Sequence, residues 1–116
     1  MWCWRIFKRK KVNEISVDDF KTSLEEGADF QIIDVREPYE FEIANLGGTL
    51  IPLSTIEDNF HKISKNKKVI LHCRSGKRSA DAIRKLQKIY PFKNLFNLKG
   101  GILEYSNKID PTIPTY

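Results

Sequence analysis

Residues 69 to 79 read Val-Ile-Leu-His-Cys-Arg-Ser-Gly-Lys-Arg-Ser, an order of residue types that can make a reactive sulfur. The apolar run Val69–Leu71 reads as a buried strand, and Ser79 to Tyr90 carries Ala82, Ile83, Leu86 and Tyr90 at helical spacing. Cys73 therefore stands where a strand ends and a helix begins. Such a turn aims several backbone N–H groups at one point and adds the positive end of the helix dipole, which together make an anion site. Arg74, Lys77 and Arg78 place three cations within five residues of the sulfur, favouring both a thiolate and an incoming anion. Gly76 supplies the positive φ of a tightly curled loop. A cysteine after a hydrophobic strand is ordinarily a small buried hydrophobe. That role has no use for three neighbouring cations, which are costly to desolvate unless they face water or an anion. Cys73 is thus the expected catalytic residue, with Arg74, Ser75, Gly76, Lys77, Arg78 and Ser79 as the substrate-binding loop.

His72 precedes the cysteine, but neighbours on a strand point to opposite faces, so it is read as a packed or hydrogen-bonded histidine and not as a general base. Asp34 and Arg36 lie at the end of the run Phe30–Val35, and an Asp–Arg pair at a strand end is read as fixing a loop. His61 lies in a polar stretch and suggests no chemistry.

The elements that must hold this loop follow from patterning. Val12–Ile15 reads as a short strand, and Ser16 with Asp19 opens a helix through Glu26 that Gly27 stops. Phe30–Val35 is a strand covered on both faces. Pro38 starts a helix through about Ile43, Leu50-Ile51 is a short strand, and Ser54 with Glu57 marks a helix ending near Ile63. Val69–His72 and Leu95–Leu98 complete the strands, and a last helix follows Gly100-Gly101. The alternation predicts an α/β fold, a central mostly parallel sheet with helices on both faces, whose active site lies at the carboxyl ends of strands. The tail 110–116, with Pro111 and Pro114, cannot be helical and is expected to run extended over the surface.

At 116 residues the chain suits one domain, here read as residues 12–116 behind a basic aromatic leader, residues 1–11. The formal charge of +5 resembles a nucleic-acid signal, yet Arg5, Lys8, Arg9, Lys10 and Lys11 account for all of it. Nucleic acid is therefore not an expected partner. Trp2, Trp4, Ile6 and Phe7 beside those cations would suit an anionic lipid surface, although packing against the domain or disorder is the plainer expectation. Cys3 and Cys73 form neither a C-x-x-C pair nor a disulfide framework, no zinc-type cluster exists, and no apolar run approaches a membrane span. A cytoplasmic monomer is expected.

These motifs resemble a single rhodanese domain of the sulfurtransferase superfamily, from about Val12 to the end. The marks are Asp34-Val35-Arg36-Glu37-Pro38 with Glu40, Gly47-Gly48-Thr49 before Leu50-Ile51-Pro52-Leu53, the loop Cys73 to Arg78, and Leu98-Lys99-Gly100-Gly101-Ile102. The segment Glu42–Leu53 and the ending Asp110-Pro111-x-x-Pro114-x-Tyr116 are most similar to rhodanese domains fused behind adenylyltransferases that activate ubiquitin-like sulfur carriers. Asn45 and Leu46 stand where many single-domain members have a histidine, a change the fused subgroup tolerates. The resemblance implies a rhodanese-like fold and a Cys73 that takes sulfane sulfur from a donor, holds it as a persulfide and passes it to a thiophilic acceptor. It implies that amides of Arg74 to Ser79 hold the outer sulfur, with a hydroxyl of Ser75 or Ser79 assisting, and that no cofactor or metal is needed. Implied partners are a thiosulfate-like anion and a sulfur-carrier protein or cysteine desulfurase. Protein partners would need a loop open to solvent.

Two other readings compete. Cysteine phosphatases cradle an anion between strand and helix, but place the phosphate-binding arginine six positions after the cysteine, where this chain has Ser79 and its Arg78 comes one too early. A non-catalytic binding module of the same fold has no need of the intact cysteine.

Overall fold

The structure, a computed structural model, describes residues 11–116. The leader segment, with Cys3 and its aromatic residues, lies outside the described residues except for Lys11.

The two most apolar runs form the middle of the sheet. β2 (Phe30–Asp34) and β4 (Lys68–His72) pair in parallel along their whole length, from Phe30 opposite Lys68 to Asp34 opposite His72. Strands buried on both faces need apolar side chains on both, and Ile32-Ile33 and Val69-Ile70-Leu71 supply them. β5 (Leu95–Leu98) joins β4, β1 (Glu14–Ile15) joins β5, and β3 (Thr49–Leu50) joins β2, giving the order β1-β5-β4-β2-β3 with every pairing parallel. Parallel pairing requires crossover connections, which the helices provide.

Alternation along the strands divides the core in two. Ile33, Val35, Val69, Leu71, Cys73 and Leu95 pack with Ala82, Ile83 and Leu86 of α3 (Lys77–Ile89). On the other face Ile15, Ile70 and Leu98 pack with Val17 and Phe20 of α1 (Val17–Glu25) and Tyr105 of α4 (Gly101–Lys108). Phe20 and Tyr105 meet edge to face at 5.8 Å, joining α1 to α4. α2 (Pro38–Ile43) starts on a reciprocal cap, with Glu37 at the N-cap, Glu40 three residues later and Pro38 between them.

Several boundaries differ from the sequence reading, most of them by one or two residues. The helix expected from Ser54 to Ile63 is instead two 3₁₀ turns, Leu53–Thr55 and Phe60–Lys62. The backbone bonds here are mostly i→i−3, among them Thr55 N–H to Pro52 O at 2.9 Å and Lys62 N–H to Asn59 O at 2.9 Å, and the Thr55 hydroxyl and Asn59 side-chain amide add bonds to Pro52 O and Thr55 O. Ile56 and Ile63 still reach the core, which explains the apolar spacing. α3 begins at Lys77, two residues early, because Gly76 at φ 104° turns the chain directly into the helix. β1 is confined to Glu14–Ile15, and β3 begins at Thr49 instead of Leu50. The tail is not helical, but it opens with a turn in which Ile113 N–H donates to Asp110 O at 3.1 Å. The Ser106 hydroxyl then ties Ile113 O at 2.6 Å, and Tyr116 ends beside the cysteine loop. Among the described residues, no helix is long and apolar enough to cross a membrane.

Candidate active site

The loop after β4 is shaped by α4. Ile102 N–H donates to Cys73 O at 3.0 Å and Leu103 N–H to Arg74 O at 3.1 Å, so the first turn of α4 draws both carbonyls toward itself. This approach depends on Gly101, where an added Cβ would lie 2.5 Å from Arg74 O and 2.6 Å from Cys73 O. With those carbonyls turned outward, loop amides are free to face the sulfur. Gly76 N–H donates to Cys73 Sγ at 3.1 Å, at the N-terminus of the 13-residue α3. Its φ of 104° makes that position costly for any residue with a Cβ.

Cys73 lies on the α3 face of the sheet and is 1% exposed, while Ser75 and Lys77 are exposed. The loop is therefore open at its rim, whereas the expectation of an open site fails for the sulfur itself. The cause is the alternation that sends Cys73 into the same core cluster as Val69 and Leu71. Ser79 is buried, with Oγ 3.4 Å from Cys73 Sγ and 3.3 Å from Gly76 O, and it donates to Asn97 Oδ1. Ser75 is exposed and makes no comparable contact among the described residues. Asn97, on β5 and 4% exposed, donates from Nδ2 to Gly76 O at 2.9 Å. Sequence reasoning missed it. The available signal was a single polar residue at a core-facing position of the otherwise apolar run Leu95–Leu98.

The two loop arginines are held by the protein. Arg78 makes a bidentate pair with Glu40, Nη1 to Oε1 at 2.7 Å and Nη2 to Oε2 at 2.9 Å. Hydrogen bonds from Arg78 are the main reason the Glu40 carboxyl is held down at about 2, and burial opposes them. Arg74 donates from Nε to the Tyr116 main-chain oxygen at 2.7 Å, and its guanidinium lies 5.2 Å from the centre of the Tyr116 ring. Lys77 alone of the three loop cations has neither an ion pair nor a side-chain hydrogen bond among the described residues, since Arg78 pairs with Glu40 and Arg74 bonds the Tyr116 main-chain oxygen.

Asp34 and Arg36 lie one strand away and are fully buried. Arg36 donates from Nε and Nη2 to the Asp34 carboxylate at 2.9 and 2.7 Å, and from Nη2 to Ala44 O at 2.6 Å. Its Nη1 serves Glu40 O at 3.3 Å and the Tyr116 hydroxyl at 2.7 Å. Burial disfavours this charge, but the bonds to Asp34 and Tyr116 outweigh that and raise Arg36 above its ordinary value. The pair thus fixes the α2 segment. The Tyr116 hydroxyl completes the chain by donating to Glu40 Oε2 at 2.8 Å.

His72 occupies the opposite face from the sulfur, as strand alternation requires. It is fully buried, and neither ring nitrogen has a hydrogen-bond partner among the described residues. Burial lowers its pKa to about 4, with Asp34 opposing and Arg36 reinforcing the shift. At neutral pH the ring is uncharged, so its 3.8 Å approach to Asp34 is not an ion pair.

Comparison with known proteins agrees with this architecture. The chain is 37% identical over 117 residues to a rhodanese-like/PpiC domain-containing chloroplastic protein of Arabidopsis thaliana, covering 94% of this chain and 39% of that protein. It is 33% identical over 110 residues to the adenylyltransferase and sulfurtransferase MOCS3 of Drosophila yakuba, covering 88% of this chain and 24% of that protein. The chain thus spans well under half the length of either relative. A rhodanese-like domain protein from Staphylococcus aureus superposes with a TM-score of 0.73 at 30% identity, over 81% of this chain and 91% of that one. The family model described as the rhodanese-like domain matches residues 16–108, and the chain belongs to that family.

Proposed function

We propose that the protein is a sulfurtransferase that moves sulfane sulfur through a persulfide on Cys73. The reading is carried by the contact between Gly76 N–H and Cys73 Sγ at the N-terminus of α3, a built environment for negative charge on sulfur. The Cys73 thiolate attacks the outer sulfur of a donor such as thiosulfate, a new S–S bond forms, and sulfite leaves with the electron pair of the broken bond. A nucleophilic acceptor then attacks the outer sulfur of the persulfide, and the thiolate returns as leaving group. Every step is a two-electron displacement at sulfur, with no net oxidant. Lys77 gives an anionic donor an unpaired cation at the rim, while Arg74 and Arg78 hold the loop's shape.

The kinship with domains of adenylyltransferase and sulfurtransferase proteins supports a protein acceptor or donor alongside small anions. The loop length supports sulfur over phosphate, because the five residues after Cys73 end at Arg78, which Glu40 already holds.

Thiosulfate-to-cyanide transfer by Cys73→Ser and Cys3→Ser, assayed together, tests the reading. Activity is expected to vanish in the first and persist in the second, and mass spectrometry after thiosulfate should place one added sulfur on the peptide holding Cys73. Transfer that survives Cys73→Ser would overturn the mechanism. Cys73-dependent turnover of an aryl phosphate would favour the phosphatase reading.

A further inference from the structure

Three acceptors surround the Ser79 hydroxyl, which has one proton to give. Asn97 Oδ1 is nearest, with Gly76 O at 3.3 Å and Cys73 Sγ at 3.4 Å. We propose that Asn97 is a positioning residue of the cysteine loop that withholds the Ser79 proton from the Cys73 sulfur. The inference rests on the reading above only in taking Cys73 as the nucleophile.

The orientation of the Asn97 carboxamide follows from its surroundings. Nδ2 lies 2.9 Å from Gly76 O, and a reversed amide would set two carbonyl oxygens against each other there. Oδ1 must then face Ser79 and accept its proton. A buried carbonyl oxygen left without a donor is costly, so this bond is strongly held. Asn97 reaches the site because β5 places it beside Leu71, with its side chain on the α3 face. It holds two points of the loop, the carbonyl of Gly76 and the hydroxyl of Ser79. Holding the Gly76 carbonyl also turns the N–H of the same peptide unit, that of Lys77, away from Asn97.

The consequence is a limit on thiolate stabilisation. A hydroxyl donating to an anionic sulfur is a charge-assisted bond, stronger than one to a neutral carbonyl at equal distance. In this site the neutral acceptor has the geometric advantage. The sulfur keeps Gly76 N–H as its donor, and the Ser79 bond is diverted. Removing Asn97 Oδ1 should let Ser79 turn to the sulfur, because Gly76 O already receives Ala80 N–H at 3.2 Å.

The test uses the thiolate ultraviolet absorbance of the full chain at neutral pH, each variant read against its own Cys73→Ser partner so that only this sulfur is counted. Asn97→Leu, close to isosteric at a buried strand position, should raise the thiolate-to-thiol ratio about tenfold, the scale of one charge-assisted hydrogen bond. In a Ser79→Ala background the same substitution should change it less than about twofold, because the proton in contention is gone. Asn97→Asp keeps the acceptor, loses the donor to Gly76 and adds negative charge, so it should lower the ratio. Ser79→Ala alone leaves Asn97 Oδ1 without its donor at some cost in stability, but should leave the ratio within about twofold of the parent. A large fall in Ser79→Ala would mean that Ser79 serves the sulfur already, and equal effects of Asn97→Leu in both backgrounds would mean that no proton is shared. Either result overturns the proposal. Sulfur transfer is not read in this experiment, so its outcome is separate from that of the sulfurtransferase reading.

Discussion

Arg78 reaches back across the cysteine loop to Glu40 and closes a two-point bridge, its terminal nitrogens 2.7 and 2.9 Å from the two carboxylate oxygens. Glu40 is only 4% exposed and also accepts Glu37 N–H at 3.0 Å and the Tyr116 hydroxyl at 2.8 Å. One carboxylate therefore connects the start of α2, the start of α3 and the tail. Arg78, which the sequence marks as an anion-binding residue, acts here as an internal tie.

Glu40→Gln should reveal this in acid. The carboxyl sits at about 2, below its ordinary 4.5, chiefly because Arg78 donates to it. Its ionised form therefore adds stability that is complete above about pH 4.5 and is lost as pH falls toward 2. The amount is roughly 3 kcal/mol. Urea unfolding of the parent across that range should show the loss, and Glu40→Gln should be weaker at neutral pH with a much flatter acid limb.

His72 governs a separate window. Its folded value of about 4 lies below the ordinary 6.5, so the unfolded chain takes up the proton first. Stability is complete above about pH 6.5 and falls as pH drops toward 4, by roughly 3 kcal/mol. Neither ring nitrogen has a partner within hydrogen-bond geometry among the described residues, so little hydrogen bonding is lost in His72→Phe. That variant should match or exceed the parent at neutral pH and lose the limb between 6.5 and 4, while the lower limb assigned to Glu40 remains.

Lys77 carries the expectation for anionic donors. It is exposed and has no ion-pair partner among the described residues, whereas Arg74 and Arg78 are engaged. Lys77→Ala should raise KM for thiosulfate several-fold with kcat nearly unchanged, and added salt should produce the same trend in the parent, since screening acts on exposed charge. An unchanged KM would move donor recognition to the backbone amides.

Gly101→Ala tests the support that α4 gives the loop. The new methyl would lie 2.5 Å from Arg74 O and 2.6 Å from Cys73 O at a φ of 62°, and these are backbone atoms that cannot swing aside as a flexible side chain would. A loss of about 3 kcal/mol is expected, together with a large fall in kcat, as Ile102 and Leu103 release the Cys73 and Arg74 carbonyls. Thermal melting and transfer kinetics on one preparation would check both effects.

The chain's local chemistry was readable without coordinates. Two β-branched runs define the central strands, Gly76 and the apolar spacing from Ala82 to Leu86 define the turn into α3, and three cations around Cys73 mark it as the candidate nucleophile. Alternation alone separated His72 from Cys73, and the structure packs Cys73 with Val69 and Leu71 in a cluster that does not include His72. These features depend on residues within a few positions of one another, so a linear pattern contains them.

Tertiary structure decided the partners. Glu40 meets Arg78 across 38 residues, Asn97 meets Ser79 across 18, and Tyr116 meets Arg36 across 80. Each contact depends on which strands lie side by side, and the order β1-β5-β4-β2-β3 is set by how crossovers pack and not by any local motif. For the same reason the sequence could count three cations beside the sulfur but not separate the free Lys77 from two arginines already held. The region 53–63 shows the complement. Its apolar spacing predicted burial correctly and α-helix wrongly: its backbone bonds close mostly at i→i−3, as Ile56 N–H to Leu53 O and Ile63 N–H to Phe60 O do.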